Sequence, residues 1–392
     1  MIPSTDVLRA SGTLSSYKRL KILVERKKRN RNTRRDKPYG VIEKQVACSK
    51  WRTSSAFQSS DLTRRMVMIE ITPCNPNETS VALLYGGKSS EREVSIKSAE
   101  SVVIGLRECG FEVEMIDTGE PHYIDKLENL NPNIVFNCLH GRGGEDGCVQ
   151  GVCEELGLPF TGSGVLASAL SMDKAKSKVF YRAYGIDTPN ARVIEKGASV
   201  TYEEISAEIG KKVVLKPANE GSAFGVSIVE NEEDFKEALK LAQGLDNTVI
   251  IEQFVAGTEV TVATMGNEEL MPMPVIEIIP HADFYDFDAK YTAGGSDHIC
   301  PARLSDELAE KCQEMGLTAH KALGCHGISR SDIIIDEDNR PWMLETNSIP
   351  GMTATSLVPD AAHAMGIEFP ALCKLIVELG LEAAESEWKR NV

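Results

Sequence analysis

Short apolar runs separated by polar turns dominate the chain from residue 80 onward, and they predict alternating strands and helices. Ser80 to Tyr85 and Ile134 to Asn137 are mostly apolar runs of strand length, as buried parallel strands require. Glu112 to Ile116 predicts a strand between them, and Val94 to Gly110 has the period of a helix. A strand, a glycine turn and a helix form a βα unit, which binds ligands at the N-terminus of its helix.

Two polar side chains follow these predicted strands, where α/β sheets place their binding sites. Glu91 lies in the first helical turn, between Ser90 and Glu93, which have capping-box spacing. Its carboxylate either complements the helix dipole or accepts the ammonium group of a ligand. His140 precedes four glycines between residues 141 and 147, where the backbone can approach a ligand closely. We interpret both residues as candidate substrate contacts.

The middle of the chain offers candidate phosphate contacts. Ser168 to Tyr184 predicts one amphipathic helix that contains Lys174, and Val213 to Pro217 predicts a strand that contains Lys216. The glycine-rich loop at residues 220–227 follows, and its backbone N–H groups could bind phosphate oxygens. The chain has no P-loop motif, and glycine-rich hairpins are common, so this loop alone is a weak signal.

A short link between two further strands is a candidate adenine site. Gln253 to Val255 combines apolar side chains with a backbone that we predict to be exposed, which suits a flat purine. Glu259 could then bind ribose hydroxyls, and the alternative is a simple hinge between domains. The long polar stretch from Ala282 to His298 predicts a lid over a site.

Residues 330–347 predict a β-hairpin with a polar turn at residues 336–341. Asp332, Glu345 and Asn347 would lie close together if its strands pair antiparallel. Their oxygens are the hard ligands that Mg²⁺ prefers, with phosphate oxygens completing the coordination.

Arg330 stands two residues before Asp332, and the period of a strand puts both side chains on one face. A guanidinium beside a metal suits a phosphoryl or acyl-phosphate intermediate. The alternative is an exposed acidic hairpin with an arginine partner.

Charge divides the chain into two parts. Residues 1–65 hold 17 Lys and Arg against 5 Asp and Glu, although the whole chain has a net charge of −15. The acidic body argues against nucleic acid as its main partner. The ten cysteines show no C-x-x-C spacing, which is typical of reduced thiols, and no run of eighteen apolar residues predicts a membrane span.

The basic N-terminal stretch allows three interpretations. It is a disordered arm, a tail that binds nucleic acid, or a segment absent from the working protein because translation starts at Met66 or Met68. We favour the first and the third, and we assign residues 1–78 to this extension.

The ordered set of motifs resembles the D-alanine–D-alanine ligase family. The stretches that carry the resemblance are Gly86-Gly87, Glu91 to Ser95, His140-Gly141, Gly144 to Gly147, Ser171 to Lys174, Lys216-Pro217, Glu220 to Ser222, Lys290-Tyr291, Glu345 to Thr353 and Ser356-Leu357. They run from about Ser80 to about Leu381 in the family's order. Each motif is weak alone, but the complete series is highly specific.

The resemblance implies an ATP-grasp fold that combines α/β and α+β architecture. It would have three domains, at residues 79–161, 162–251 and 252–385, with a parallel sheet in the first domain. ATP would lie between the two antiparallel sheets of the other domains. Residues 1–78 have no counterpart in the family.

The resemblance also implies roles for individual residues. ATP would contact Lys174, Lys216, Gly221, Ser222, Glu252, Gln253, Val255, Glu259 and Lys290. Two Mg²⁺ or Mn²⁺ ions would be held by Asp332, Glu345 and Asn347. D-Alanine would contact Glu91, His140, Arg330, Gly351, Ser356 and Leu357. The catalytic set would be Glu91, Ser222, Tyr291, Arg330, Gly351 and Ser356.

The implied activity is ATP-dependent ligation of two D-alanine molecules through an acyl phosphate, for peptidoglycan precursor synthesis. The implied protein is a cytoplasmic homodimer that binds neither nucleic acid through its main body nor a membrane. A related ligase that takes D-serine or D-lactate second is the alternative, against which Tyr291 argues. A nucleotide-binding regulator that has lost its chemistry is a third possibility, but Arg330, Asp332 and Glu345 are all present. Phe224 and Gln253 depart from the family's usual residues.

Overall fold

The computed structural model describes residues 71–221, 223–281, 295–353 and 356–390. Three predicted site residues, Ser222, Lys290 and Tyr291, lie outside these ranges, and so does most of the predicted lid. The basic stretch before residue 71 also lies outside them, so the three interpretations of that stretch stay predictions.

A three-stranded parallel sheet, in the order β2-β1-β3, comes first in the described chain. Its elements are β1 (Ser80–Tyr85), α1 (Arg92–Glu108), β2 (Glu112–Asp117), α2 (Tyr123–Leu130), β3 (Ile134–Asn137) and α3 (Cys148–Glu155). The central strand β1 is buried on both faces, because Val81 and Leu83 belong to one core and Ala82 and Leu84 to another. The predicted parallel βα arrangement is confirmed.

A four-stranded antiparallel sheet, in the order β4-β7-β5-β6, follows. The elements of this part are α4 (Val165–Met172), α5 (Lys174–Ala183), β4 (Ala191–Glu195), α6 (Tyr202–Ile209), β5 (Val213–Pro217), β6 (Ser227–Val229), α7 (Glu232–Leu245) and β7 (Thr248–Gln253). The prediction of one helix from Ser168 to Tyr184 is wrong. Asp173 is extended and accepts a hydrogen bond from the Lys176 amide, so it caps α5 and separates it from α4.

The third sheet is antiparallel, with strands in the order β11-β10-β8-β12-β13 and β9 paired with β8. Its strands are β8 (Gly257–Gly266), β9 (Leu270–Pro272), β10 (Ile276–Pro280), β11 (Ser296–Ile299), β12 (Gly327–Asp336) and β13 (Pro341–Asn347). The helices of this part are α8 (Asp306–Leu323), α9 (Leu357–Ala364) and α10 (Phe369–Arg390). Since Ser296–Ile299 pairs with β10, the predicted lid loop ends earlier than His298.

One hydrophobic core joins the first sheet to the third. It contains Val102 and Leu106 of α1, Leu372 and Ile376 of α10, and Ile276 of β10. Burial of each such side chain contributes roughly 1.5–3 kcal/mol to the free energy of folding, so this core stabilises the contact between the two sheets. It holds the loops that follow β1 and β3 beside the end of the β12–β13 hairpin.

The last residues of the predicted N-terminal extension are among the described ones. Residues 71–78 lie against the body, where Ile71 and Cys74 contact the core and the Cys74 amide donates to Glu378 Oε1 at 3.1 Å. Pro76–Glu78 forms a single 3-10 turn. These residues thus pack against the body, and the assignment of residues 1–78 to an extension stays a prediction.

None of the described helices is both long and apolar enough for a bilayer crossing. The nine cysteines within the described ranges form no disulfide bond. Burial raises the pKa of the Cys153 thiol to about 12, which keeps this thiol protonated and unreactive.

Candidate active site

One cleft collects most of the predicted substrate residues. Those that line it are Glu91, His140, Lys174, Gly221, Arg330, Glu345, Asn347, Gly351, Ser356 and Leu357. Other predicted residues are described but do not belong to its lining, namely Lys216, Glu252, Gln253, Val255, Glu259 and Asp332. The structure thus brings the predicted amino-acid contacts together, and it places the predicted adenine and ribose contacts outside this lining.

Strands β12 and β13 form the predicted antiparallel hairpin. Asp332 lies opposite Glu345, and Arg330 lies opposite Asn347. Arg330 donates from Nε and Nη2 to the two oxygens of Asp332, at 2.9 and 2.8 Å. The prediction that Arg330 and Asp332 share a face is confirmed, and the fork-shaped contact fixes the guanidinium at the cleft.

Asp332 has a second partner that the sequence analysis missed. Thr261 of β8 pairs with Asp332 across the strands, and its hydroxyl donates to Asp332 Oδ1 at 2.6 Å. Both residues are buried. No local motif marks Thr261, because the contact depends on strand pairing between two residues that are 71 positions apart in the sequence.

Lys174, the first residue of α5, connects three parts of the site. Its Nζ lies 3.2 Å from Glu345 Oε2 and donates to the Glu220 carbonyl at 2.7 Å. Its amide donates to the Ala218 carbonyl at 3.0 Å. Burial alone would lower the pKa of Lys174, but Glu345 and other carboxylates raise it on balance, so the ammonium keeps its charge.

Glu91 faces the cleft between two glycine loops. Glu91, and not Ser90, is the N-cap residue of α1, and its side chain makes no cap hydrogen bond. The capping box predicted from Ser90 and Glu93 is therefore wrong. A Cβ atom on Gly221 would overlap Glu91 Oε2, and one on Gly141 would lie 2.8 Å from the same oxygen. A side chain at either position would therefore require the Glu91 carboxylate to move, and the positive φ of Gly141 further favours glycine there.

His140 is held by polar contacts that extend to the other side of the cleft. Its Nε2 lies 3.2 Å from the hydroxyl of Ser98, which accepts a hydrogen bond from the Met352 amide at 3.3 Å. Its Nδ1 lies 3.7 Å from Glu145 Oε1. His140 is buried, and these contacts connect its loop to the chain next to Gly351.

Ser356 is the N-cap residue of α9, and Leu357 is the first residue of that helix. The Ser356 hydroxyl accepts a hydrogen bond from the Thr353 amide at 3.0 Å. A Cβ atom on Gly351 would lie 2.9 Å from this hydroxyl. The cleft therefore contains a helix N-terminus, which favours a bound anion.

The predicted adenine link differs from the prediction of an exposed backbone. The Gln253 amide donates to the Asn190 carbonyl at 2.8 Å, and the Phe254 amide donates to the Lys212 carbonyl at 3.1 Å. These two amides are therefore engaged within the protein. If a purine binds here, we expect the amide of Val255 to be its donor.

Glu252 and Lys216 form a buried ion pair, with Lys216 Nζ 2.6 Å from Glu252 Oε1. Lys178 contacts the other carboxylate oxygen at 2.8 Å. The sequence analysis missed Lys178, since it is one of several lysines in an amphipathic helix. The predicted adenine role of Glu252 does not rest on its carboxylate, which lies between two ammonium groups.

The hairpin carries oxygens of the kind that Mg²⁺ prefers, although both oxygens of Asp332 also accept hydrogen bonds from Arg330. Asp332 and Glu345 lie opposite each other, and the Asn347 amide oxygen accepts a hydrogen bond from the Ile349 amide at 3.0 Å. Within the described ranges no three His, Cys, Asp or Glu side chains cluster as a metal site. Two carboxylates and an amide are still the kind of partial set that Mg²⁺ accepts when phosphate and water oxygens complete it.

Comparisons with known proteins agree with this geometry. The sequence model "D-ala D-ala ligase C-terminus" matches residues 180–378, and the "D-ala D-ala ligase N-terminus" model matches residues 120–163. A D-alanine–D-alanine ligase of Pelotomaculum thermopropionicum is 45% identical over 308 residues, which cover 77% of this chain and 96% of that protein.

Solved structures show the same relationship. The D-alanine–D-alanine ligase of Bacillus anthracis, complexed with ATP, is 30% identical and has a TM-score of 0.68, over 79% of this chain and 99% of that one. The VanG D-Ala:D-Ser ligase of Enterococcus faecalis is 29% identical with a TM-score of 0.66, over 77% of this chain and 99% of that one. Together with the curated relatives, these likenesses establish that the chain belongs to the D-alanine–D-alanine ligase family and has its ATP-grasp fold.

Proposed function

We propose that this protein joins two D-alanine molecules into D-alanyl-D-alanine at the expense of ATP, for peptidoglycan precursor synthesis. The observation that carries the proposal is the convergence of Glu91, Lys174, Arg330 and Glu345 on one cleft. A buried carboxylate for an ammonium, a guanidinium for a carboxylate and a lysine for phosphate are the groups that an amino-acid ligase needs. ATP is the nucleotide of the related Bacillus anthracis structure.

The first D-alanine would lie between Glu91 and Arg330. Glu91 accepts hydrogen bonds from its ammonium, while Arg330 and the amide of Gly351 hold its carboxylate. The pairing of Arg330 with Asp332 supports this role, because it fixes the direction of the guanidinium. The same two donors then stabilise the oxyanion of the tetrahedral intermediate.

The second D-alanine would place its carboxylate at the N-terminus of α9. Ser356 and Leu357 begin that helix, and a helix N-terminus offers both N–H donors and a favourable dipole. His140 would stay beside the substrates, held by Ser98. The roles in closing the site that we propose for Ser222, Lys290 and Tyr291 rest on the family resemblance alone.

The reaction would proceed in two steps. A carboxylate oxygen of the first D-alanine attacks the γ-phosphorus of ATP, the bond between the β,γ-bridging oxygen and that phosphorus breaks, and ADP leaves. The amine of the second D-alanine, after losing a proton, attacks the carbonyl carbon of the acyl phosphate. The oxyanion then collapses, phosphate leaves with the former carboxylate oxygen, and the peptide bond remains. A closed site keeps water away from the acyl phosphate.

Nucleotide binding would use groups from both antiparallel sheets. Lys174 and Lys216 would contact the phosphates beside Gly221, and Glu252, Gln253 and Val255 would border the adenine. Glu259 would bind the ribose.

The metal ions would be held by the β12–β13 hairpin. Asp332, Glu345 and Asn347 would hold two Mg²⁺ or Mn²⁺ ions, which when bound offset the charge of the transferred phosphoryl group.

We also propose the three-domain division at residues 79–161, 162–251 and 252–385, which follows the three sheets, although β7 extends to Gln253. A cytoplasmic location is supported by cysteines that form no disulfide within the described ranges. A homodimer remains a proposal from the family resemblance.

The test is release of ADP with purified protein, ATP and Mg²⁺. We expect release that depends on D-alanine, with one D-alanyl-D-alanine formed per ADP, and at least about tenfold less product when D-serine or D-lactate is the second substrate. The likeness to a D-Ala:D-Ser ligase makes D-serine the necessary comparison. Preferred formation of D-alanyl-D-serine would replace our assignment, and no ADP release with any of these substrates would refute it.

A further inference from the structure

Three charged side chains are buried together where α5 meets the second sheet. Lys178 of α5, Glu252 of β7 and Lys216 of β5 are 1%, 3% and 7% exposed. Lys178 Nζ lies 2.8 Å from Glu252 Oε2, and Lys216 Nζ lies 2.6 Å from Glu252 Oε1. The carboxylate is therefore shared, with one ammonium group on each oxygen.

This cluster holds two cations and one anion. The other contacts of Lys178 Nζ are neutral oxygens, the Thr188 hydroxyl at 2.6 Å and the Pro189 carbonyl at 3.5 Å. Burial, together with the nearby ammonium of Lys216, lowers the pKa of Lys178 to about 8, although Glu252 acts in the opposite direction. The carboxylate oxygen of Glu252 at 2.8 Å favours the charged form of Lys178, and a buried surplus of positive charge favours an incoming anion.

Helix α5 carries two lysines that contact the two antiparallel sheets. Lys174 and Lys178 are four residues apart on α5, so they project from the same side of it. Lys174 reaches Glu345 of the third sheet, whereas Lys178 reaches Glu252 of the second. One helix thus supplies an ammonium group to each of the two antiparallel sheets.

We propose that Lys178 is a positioning residue for the nucleotide phosphates, acting through Glu252 on Lys216. By holding one oxygen of Glu252, Lys178 prevents that carboxylate from neutralising Lys216 completely. Without Lys178, Glu252 and Lys216 become a balanced pair, and the attraction of Lys216 for a phosphate falls. This inference rests on the proposed use of ATP.

The test compares ligands with and without phosphates. Lys178→Met removes the charge, and Lys176→Met is the matched control, because Lys176 is exposed on the same helix. Isothermal titration calorimetry with Mg²⁺ measures the Kd of ADP and of adenosine for each protein. We expect Lys178→Met to weaken ADP binding about tenfold and to change adenosine binding less than about twofold. Lys176→Met should bind both ligands as the unchanged protein does.

A second variant separates the effect of the lost charge from a folding defect. Lys178→Gln keeps a hydrogen-bond donor at this position while it removes the charge, and we expect the same selective loss of ADP affinity. Unchanged ADP binding in a folded variant would overturn the inference, and so would equal weakening of ADP and adenosine, which indicates a merely structural role. If the unchanged protein binds neither ligand, the proposed function itself fails.

Discussion

Replacing Arg330 with alanine should reduce turnover by at least about 10², the effect typical of removing one donor to an oxyanion. Arg330 lines the cleft and is fixed by both oxygens of Asp332. In the role that we propose, its loss would remove a donor to the D-alanine carboxylate and to the later oxyanion, so kcat should fall as well as the affinity for D-alanine. Steady-state ADP release at varied D-alanine concentrations measures both.

Two comparisons separate this role from a loss of folding. Arg340→Ala removes another arginine of the same hairpin, whose exposed ion pair with Asp187 is worth at most about 1 kcal/mol, so it should keep near-normal turnover. Arg330→Lys keeps the charge of Arg330 but loses the fork that matches a carboxylate, so it should recover only part of the activity. Near-normal turnover of a folded Arg330→Ala protein would refute the assigned role.

Replacing Glu345 with glutamine should lower turnover about 10²-fold and raise the Mg²⁺ concentration needed for half-maximal rate. Glu345 lies opposite Asp332, and it contacts Lys174 at 3.2 Å. The neutral amide removes a proposed metal ligand and also the ion pair that raises the pKa of Lys174. A Mg²⁺ titration of ADP release, repeated with Mn²⁺, measures both effects.

The control is Glu337→Gln, which makes the same change in the exposed turn of the same hairpin. Its Mg²⁺ titration should match that of the unchanged protein, because an exposed turn carboxylate lies outside the cleft lining. An unchanged Mg²⁺ requirement in Glu345→Gln would remove this carboxylate from the proposed metal site.

Local patterns predicted the three strands of the first sheet and the β12–β13 hairpin, but they did not predict β4, β9, β10 or β11. The period of a strand placed Arg330 and Asp332 on one face, and their contact at 2.8 Å confirms it. The same kind of pattern failed at Asp173, where one short polar side chain caps a new helix inside a continuous amphipathic stretch. Period alone does not detect such a break, since a cap occupies a single position.

Local sequence patterns could not predict the contacts between segments that are distant in the chain. Thr261 reaches Asp332 only because β8 pairs with β12, and Lys178 reaches Glu252 only because α5 lies against the second sheet. The fit of Gly221 beside Glu91 depends likewise on two loops that are far apart in the chain. Family resemblance predicted Glu91 and Gly221 as site residues, but the three-dimensional structure was needed to show that they touch.

The most direct test of the central claim follows one oxygen atom. D-Alanine labelled with ¹⁸O in its carboxylate is incubated with the protein, ATP and Mg²⁺, and the released phosphate is analysed by mass spectrometry. Transfer of a γ-phosphoryl group to the carboxylate predicts one ¹⁸O atom in each phosphate formed together with D-alanyl-D-alanine. Dipeptide formation with unlabelled phosphate would contradict an acyl-phosphate route and the roles that we assign to this cleft.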